Sequence, residues 1–320
     1  MRSHLRDGTL ARVGAFIAAR LAPQERIRVA LSGGCDSVVL AHVLCRLGLS
    51  GRLDAIHIHH GLSPNADAWA AFCADYCREL GILLHIRHVD VALDAGDGLE
   101  AAARKARYAA FAEQPDACLA LAQHRGDQAE TVILNLLRGA GVLGAAAMLP
   151  EHRRGPLRLL RPLLSETRAD IETYAENNGL RWITDESNDD TALNRNFLRH
   201  RALPLIRERF PAAESALAQA ARHFSEAAGL LDDLAALDWE RAADGDAARL
   251  LALRALSPAR LKNLLRYRLR RLGWQLPVAA RLDEFARQLQ SAGPDRHPEL
   301  RLPEGRMHAS RGRLYWLGKG

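Results

Sequence analysis

The sequence predicts an α/β fold, a doubly wound parallel sheet followed by a second, smaller, mainly helical domain. Three observations carry this. Short apolar runs alternate with stretches of helical spacing through the first two thirds of the chain, the pattern of βαβ units. The first run breaks at two adjacent glycines before a helix begins. The remainder is mostly helical and holds the basic excess: residues 211 to 320 have 18 Lys and Arg against 13 Asp and Glu, whereas the rest is nearly neutral at 26 against 25.

With 320 residues, 48% apolar and 26% charged, the chain has an ordinary globular composition with room for two domains. No run approaches the roughly 20 apolar residues of a membrane span, and five cysteines, an odd number, point to a reducing cytoplasm. Cys73 and Cys77 are expected on one helix face as buried thiols.

The amphipathic segment from Leu5 to Leu21 reads as a packed first helix. Strands are expected in RIRVAL (26–31), LDAIHIHH (53–60), LLHIRHVD (83–90) and ACLALAQH (117–124), with helices near 37–48, 66–80, 99–113 and 127–137. The glycine-rich stretch from Arg138 to Pro156 is expected to form a mobile loop. Ser165 is expected to cap the next helix, with Gly179 closing it. A long helix follows Pro211. The tail reads as short strands turning at Pro303, Gly305 and Gly312.

Ligands of such sheets bind beyond the carboxyl ends of the strands. After the first strand comes Ser32-Gly33-Gly34-Cys35-Asp36-Ser37. Adjacent glycines can turn successive amides inward toward an anion at the positive end of the following helix. The loop has no lysine, so phosphate charge falls to amides, hydroxyls, the helix dipole and Mg2+. After the fourth strand, Asp127 and Glu130 stand three residues apart in a first helical turn. That spacing serves either a cap or a carboxylate pair for a cation. The clustered basic residues Arg254, Arg260, Lys262, Arg266, Arg268, Arg270 and Arg271 form either a phosphate grip or a solvated face. A metal reading of His57, His59 and His60 is weak, because alternation sends His60 to the other sheet face.

The S-G-G-x-D-S string resembles the loop of the N-type ATP pyrophosphatases, which cleave ATP to AMP and pyrophosphate. In order and spacing, SGGCDS, HIHHGL (57–62), GLEAAARKARY (98–108), LAQHRGDQAET (121–131), Arg138-Gly139, RPLL (161–164), DESN (185–188) and RNFLRHRALP (195–204) resemble one family of that group, the bacterial tRNA(Ile)-lysidine synthetases. Gly126 departs from the family pattern, which often has a second Asp there.

The resemblance implies an ATP pyrophosphatase-like catalytic domain over 1–210 and a helical tRNA-binding domain with a C-terminal hairpin over 211–320. It implies a ligase that attaches lysine to the wobble cytidine of an isoleucine tRNA with a CAU anticodon, through an adenylated tRNA and with release of AMP and pyrophosphate. It further implies that Ser32 to Ser37 bind ATP, Asp36 holds Mg2+, Asp127 and Glu130 recognise lysine, and Arg104 steadies the phosphate or the adenylate. Arg195, Arg199, Arg266 and Arg270 are then expected on tRNA. The sequence also admits a homodimer. Two other readings stay open: a tRNA thiolase of the same group, and a noncatalytic RNA-binding protein that keeps the nucleotide fold.

Overall fold

The computed structural model describes residues 8–91, 98–113, 116–184, 193–293 and 296–319. It forms two compact units, Met1–Phe224 and Ser225–Gly320. None of the described helices is long and apolar enough to cross a membrane.

The first unit opens with helix α1 (Gly8–Ala18), strand β1 (Ile27–Ala30), α2 (Cys35–Arg46), β2 (Leu53–His59), α3 (Ala66–Leu80) and β3 (Leu83–His88). There follow α4 (Leu99–Ala112), β4 (Cys118–Ala120), α5 (Arg125–Leu137), α6 (Val142–Ala145), β5 (Glu151–Arg154), β6 (Leu157–Leu160) and α7 (Arg168–Asn177). The sheet order is β3-β2-β1-β4-β6-β5. β1 pairs in parallel with β2 on one side and with β4 on the other, so Val29 faces both Ala55 and Ala120. Chain order reverses between β1 and β4, and the loops leaving these two strands border one crevice, where the fold class places its ligand.

Ile27, Val29 and Leu31 are buried on the central strand together with Val38, Leu40 and Leu44 of α2. An apolar strand covered on both faces is what the RIRVAL run requires. Cys73 and Cys77 are buried in the same core, and no cysteine of this chain is disulfide-bonded.

The glycine-rich stretch does not form the open loop expected of it. It contains α6 and then β5, which pairs antiparallel with β6 at the sheet edge. The signal was masked because β5 is Glu-His-Arg-Arg, a polar edge strand whose His152, Arg153 and Arg154 are exposed. Thr167, not Ser165, caps α7: its hydroxyl receives the Asp170 amide while the Asp170 side chain returns to the Thr167 amide. Ser165, two positions earlier, is displaced from the cap by this reciprocal pair.

Arg158 of β6 ties the sheet to the turn before β1. It donates to Glu151, to both oxygens of Glu25 at 2.6 Å, and to the Arg20 carbonyl. Burial pushes the Glu25 carboxyl up, but hydrogen bonds from Arg158 and Cys118 outweigh it and hold the group at about 2. A depressed carboxylate stabilises the fold above its ordinary value of 4.5, and that stability is lost as pH falls toward 2. Glu25→Gln is therefore expected to flatten the acid limb of a stability-versus-pH curve, by on the order of 2 kcal/mol after solvent screening. An unchanged limb in urea melts between pH 5 and 2 would remove this ion pair from the account.

From Leu193 the chain turns through α8 (Asn194–Phe197), a π-helical segment (Leu198–Ala202) and α9 (Leu203–Arg209) into the 30-residue helix α10 (Ala213–Ala242), within which the two units divide. The second unit continues with β7 (Ala243–Asp244), β8 (Ala247–Arg249), α11 (Leu250–Arg254), α12 (Pro258–Arg271), α13 (Ala279–Ser291), β9 (Glu299–Leu302), β10 (Gly305–Ser310) and β11 (Arg313–Gly318). Its strands form an antiparallel sheet, β7-β8-β11-β10-β9. Leu261, Leu264, Leu265 and Leu269 put one apolar stripe of α12 into the core with Phe285, Met307 and Leu314. Arg311 and Gly312 both have positive φ, the two-residue hairpin turn that matches strand twist. Gly305 is a strand residue rather than a turn: a Cβ there would lie 2.2 Å from the Leu317 carbonyl oxygen.

Candidate active site

The loop after β1 is shaped by its own short side chains. The Ser37 hydroxyl donates to the Gly34 carbonyl at 2.9 Å and accepts the Ser32 amide at 3.2 Å. At the N-terminus of α2 no side chain fills the cap, so the first-turn amides stay available to an anion. Gly33 has φ +90, and its carbonyl accepts the Ile183 amide at 2.9 Å. A Cβ at Gly33 would come within 2.6 Å of Ile183 Cδ1. Gly33→Ala combines that clash with a left-handed backbone, and we expect ATP affinity to fall roughly tenfold or more. Titration with ATP checks this, and wild-type affinity would show that the loop tolerates another backbone.

Across the crevice, α5 begins at the end of β4. His124 caps it, its Nδ1 accepting the Gly126 amide while Asp127 Oδ2 accepts the His124 amide. This places the imidazole proton on Nε2, 4.0 Å from Asp36 Oδ2 and 3.7 Å from Asp127 Oδ2. The glycine at 126 has a local reason: a Cβ there would lie 2.8 Å from His124 Cε1.

Asp127 takes part in the cap of α5, and the Asp127 and Glu130 pair meets two guanidiniums of the chain itself. Arg195 and Arg199, four residues apart across α8 and the π-helical segment, reach the pair together. Glu130, only 2% exposed, accepts from Arg195 Nε and Arg199 Nε at 2.7 Å each. Asp127 Oδ1 accepts from Arg199 Nη2 at 2.9 Å and Arg195 Nη2 at 3.3 Å. Burial pushes Asp127 up, but His124, Arg195 and Arg199 bring it below the usual carboxylate range, so it stays ionised.

Asp36 differs. Burial pushes its carboxyl up and Asp127 adds repulsion, partly opposed by His124, Arg168 and Arg199. Arg168, the first residue of α7, donates Nη1 to both Asp36 oxygens at 2.8 and 2.9 Å. Nothing in local spacing signals this partner, which lies 132 residues along the chain.

Two cavities open on the loop. One, of about 560 Å³, is lined by Ser32, Gly34, Asp36, Ser37, Arg104, Asp127, Arg195 and Arg199, with Trp69, Tyr108 and Phe111 as apolar walls. The other, of about 490 Å³, is lined by Cys35, Asp36, Glu130, Arg168, Arg199 and Glu214. Asp36 and Ile183 border both. The structure thus brings together every expected residue of the first unit. Asp185 to Asn188 lie outside the described residues. Arg168, His124 and the aromatic wall are the site residues that the motif reading did not single out, although His124 and Tyr108 fall within its strings.

The chain matches the PP-loop domain family over residues 9–206 and the TilS substrate binding domain over residues 249–315. It is 50% identical over 293 residues to the tRNA(Ile)-lysidine synthase of Aromatoleum aromaticum, covering 91% of this chain and 68% of that one. The chain belongs to the tRNA(Ile)-lysidine synthase family. A second member, from Nitrosomonas europaea, is 43% identical over 306 residues, covering 94% of this chain and 67% of that one. The shared fold reaches further: the U34-tRNA thiolase NcsA from Methanococcus maripaludis aligns with a TM-score of 0.57 at 18% identity, over 68% of this chain and 78% of that one. The lysidine synthase family and the PP-loop domain make this chain an ATP-using enzyme.

Burial pushes Cys73, Cys77 and Cys118 up to about 12 and Cys35 up to about 11, so these thiols are protonated at neutral pH. The histidines of β2 have other partners: His57 Nδ1 meets the Leu31 carbonyl at 2.9 Å, and His59 Nε2 meets Asp67 at 2.9 Å.

In the second unit the basic cluster is largely engaged within its own unit. Arg254 donates to the Leu289 and Ala292 carbonyls, Arg260 pairs with Asp238, Lys262 with Asp283 and Arg270 with Asp232. Arg268 lies 3.6 Å over the Trp239 ring. Half-buried Arg266 and exposed Arg271 make no such contact among the described residues.

Proposed function

We propose that this enzyme attaches lysine to the wobble cytidine of an isoleucine tRNA bearing a CAU anticodon, in two steps. The cytidine O2 attacks the α-phosphorus of ATP and pyrophosphate leaves; the lysine ε-amine then adds at C2 and AMP leaves, carrying the former carbonyl oxygen. The observation that carries the reading is the shared crevice, where the open amides of the phosphate loop face the Asp127 and Glu130 carboxylates. The first suits a triphosphate and the second an ammonium, and family membership supports both substrates.

The first cavity suits ATP and the flipped base: its aromatic wall can stack, and Arg104 stands beside Tyr108 at 5.2 Å. Asp127 opens to this cavity and Glu130 to the second, so a lysine ammonium drawn between them lies near the loop. Because Asp127 is held ionised, it acts as a charge partner for the ammonium rather than as a base. Arg195 and Arg199 keep both carboxylates in place.

Mg2+ fits Asp36, for this ion commonly takes one or two carboxylates together with phosphate oxygens. The repulsion between Asp36 and Asp127 makes a cation welcome there. When bound, Mg2+ would neutralise phosphate charge as pyrophosphate departs. The first unit is then the catalytic domain and the second grips tRNA, with Arg266 as a proposed contact and Arg270 as another once phosphate displaces Asp232 from it. We place the reaction in the cytoplasm, where the five thiols stay reduced.

The test is the nucleoside mass of tRNA incubated with enzyme, Mg2+-ATP and lysine, with each component omitted in turn. A cytidine heavier by lysine minus water, dependent on all components, is expected. Release of AMP and pyrophosphate with unmodified tRNA would mean a different nucleophile.

A further inference from the structure

The phosphate loop lacks the lysine that most triphosphate loops carry, and the second cavity shows what stands in its place. We propose that Arg168 is the cation of the phosphate loop: it leaves Asp36 when nucleotide binds and takes the β- and γ-phosphates, hence the departing pyrophosphate. The inference rests on the ATP-cleaving reading above.

Arg168 lies beside the loop, sharing the second cavity with Ser32, Gly34 and Cys35. Its guanidinium is already aimed at an acidic group there, with Nη1 on both Asp36 oxygens, while Nε is anchored by Glu172 at 2.7 Å. The side chain is 45% exposed, so its terminal nitrogens can exchange one anion for another in contact with solvent. The other arginines of the second cavity are engaged by carboxylates. Arg199 is fixed to buried Glu130, and Arg207 meets Glu214 at 3.4 Å. A guanidinium is also well suited to bridging two phosphate oxygens. The exchange couples two events, since Asp36 becomes free for Mg2+ as Arg168 moves to phosphate. In the nucleotide-free protein, Arg168 and a divalent cation therefore compete for Asp36.

Calorimetry on the full chain separates this from a structural role. Arg168→Ala is expected to weaken pyrophosphate and ATP by roughly ten- to a hundredfold, the range of a charge-assisted hydrogen bond. AMP, which lacks those phosphates, is expected to change by less than about twofold, and Arg168→Lys to recover part of the loss. Mn2+ binding to the nucleotide-free Arg168→Ala protein, followed by paramagnetic resonance, is expected to tighten. Equal weakening of AMP and ATP, unchanged pyrophosphate affinity, weaker Mn2+ binding, or an effect confined to lysine affinity would each overturn the proposal. If Arg168→Ala does not fold, the same comparison on Arg168→Lys decides, with a wild-type ratio of AMP to ATP affinity counting against it. Failure of the underlying reading would look different: the parent enzyme itself would release no AMP and pyrophosphate from ATP in the presence of tRNA and lysine.

Discussion

Glu130→Ala is expected to remove about 3 kcal/mol of stability and to abolish the proposed lysine transfer, because two guanidiniums would then face each other across a hole. Glu130 is almost fully buried and supplies both oxygens to Arg195 and Arg199. Breaking a buried pair costs up to about 5 kcal/mol, and the lower figure applies because both arginines reach solvent and can partly rehydrate. Two further variants apportion the effect. Glu130→Gln keeps the shape and loses the charge, so it should retain more stability than the alanine variant. Combining Glu130→Leu and Asp127→Asn with Arg195→Met and Arg199→Met should restore stability, since neutral side chains of similar volume then replace the whole ionic cluster, while activity stays lost. Urea midpoints read the first effect and lysine-dependent tRNA modification the second. A Glu130→Ala protein with the parent midpoint would mean that the arginines are free to leave, and that the carboxylate does not organise the site.

The sheet and its crevice were legible because their causes are local. RIRVAL followed by Gly33-Gly34 can do little but end a buried strand and begin a helix, and β4 into α5 repeats that grammar with His124 as cap. The antiparallel edge was not legible, since Glu151 to Arg154 has neither apolar alternation nor β-branched residues to mark it. The carboxylate pair could be found from spacing, but its partners could not. Arg195 and Arg199 read equally well as contacts for an external anion, and only their bonds from α8 and the π-helical segment to Glu130 show where they point. The same applies to the second unit. A run of arginines on α12 looks like a nucleic-acid surface until Asp232, Asp238 and Asp283, supplied by other helices, are seen against it. Pairing of charges distant in sequence is a property of the packed chain, and composition is blind to it.

Asp36→Asn is expected to lower the rate of AMP and pyrophosphate release by on the order of a thousandfold, as loss of a group that organises charge at a reacting phosphate does. The same substitution should leave the fold at least as stable as the parent at neutral pH. Burial penalises the Asp36 charge and Asp127 repels it, so the ionised carboxylate is held in its place at a cost. Asparagine keeps the volume and can still accept a hydrogen bond from Arg168, while the repulsion disappears. Catalytic loss and stability gain would thus part company, which a residue kept for packing would not allow. Thermal melts and single-turnover assays on the same preparation decide the matter. A protein that is both inactive and several degrees less stable would make Asp36 chiefly the anchor of α7 through Arg168. A stable but inactive one would show that the loop carries a charge the fold would be better without, kept for the phosphates it has to meet.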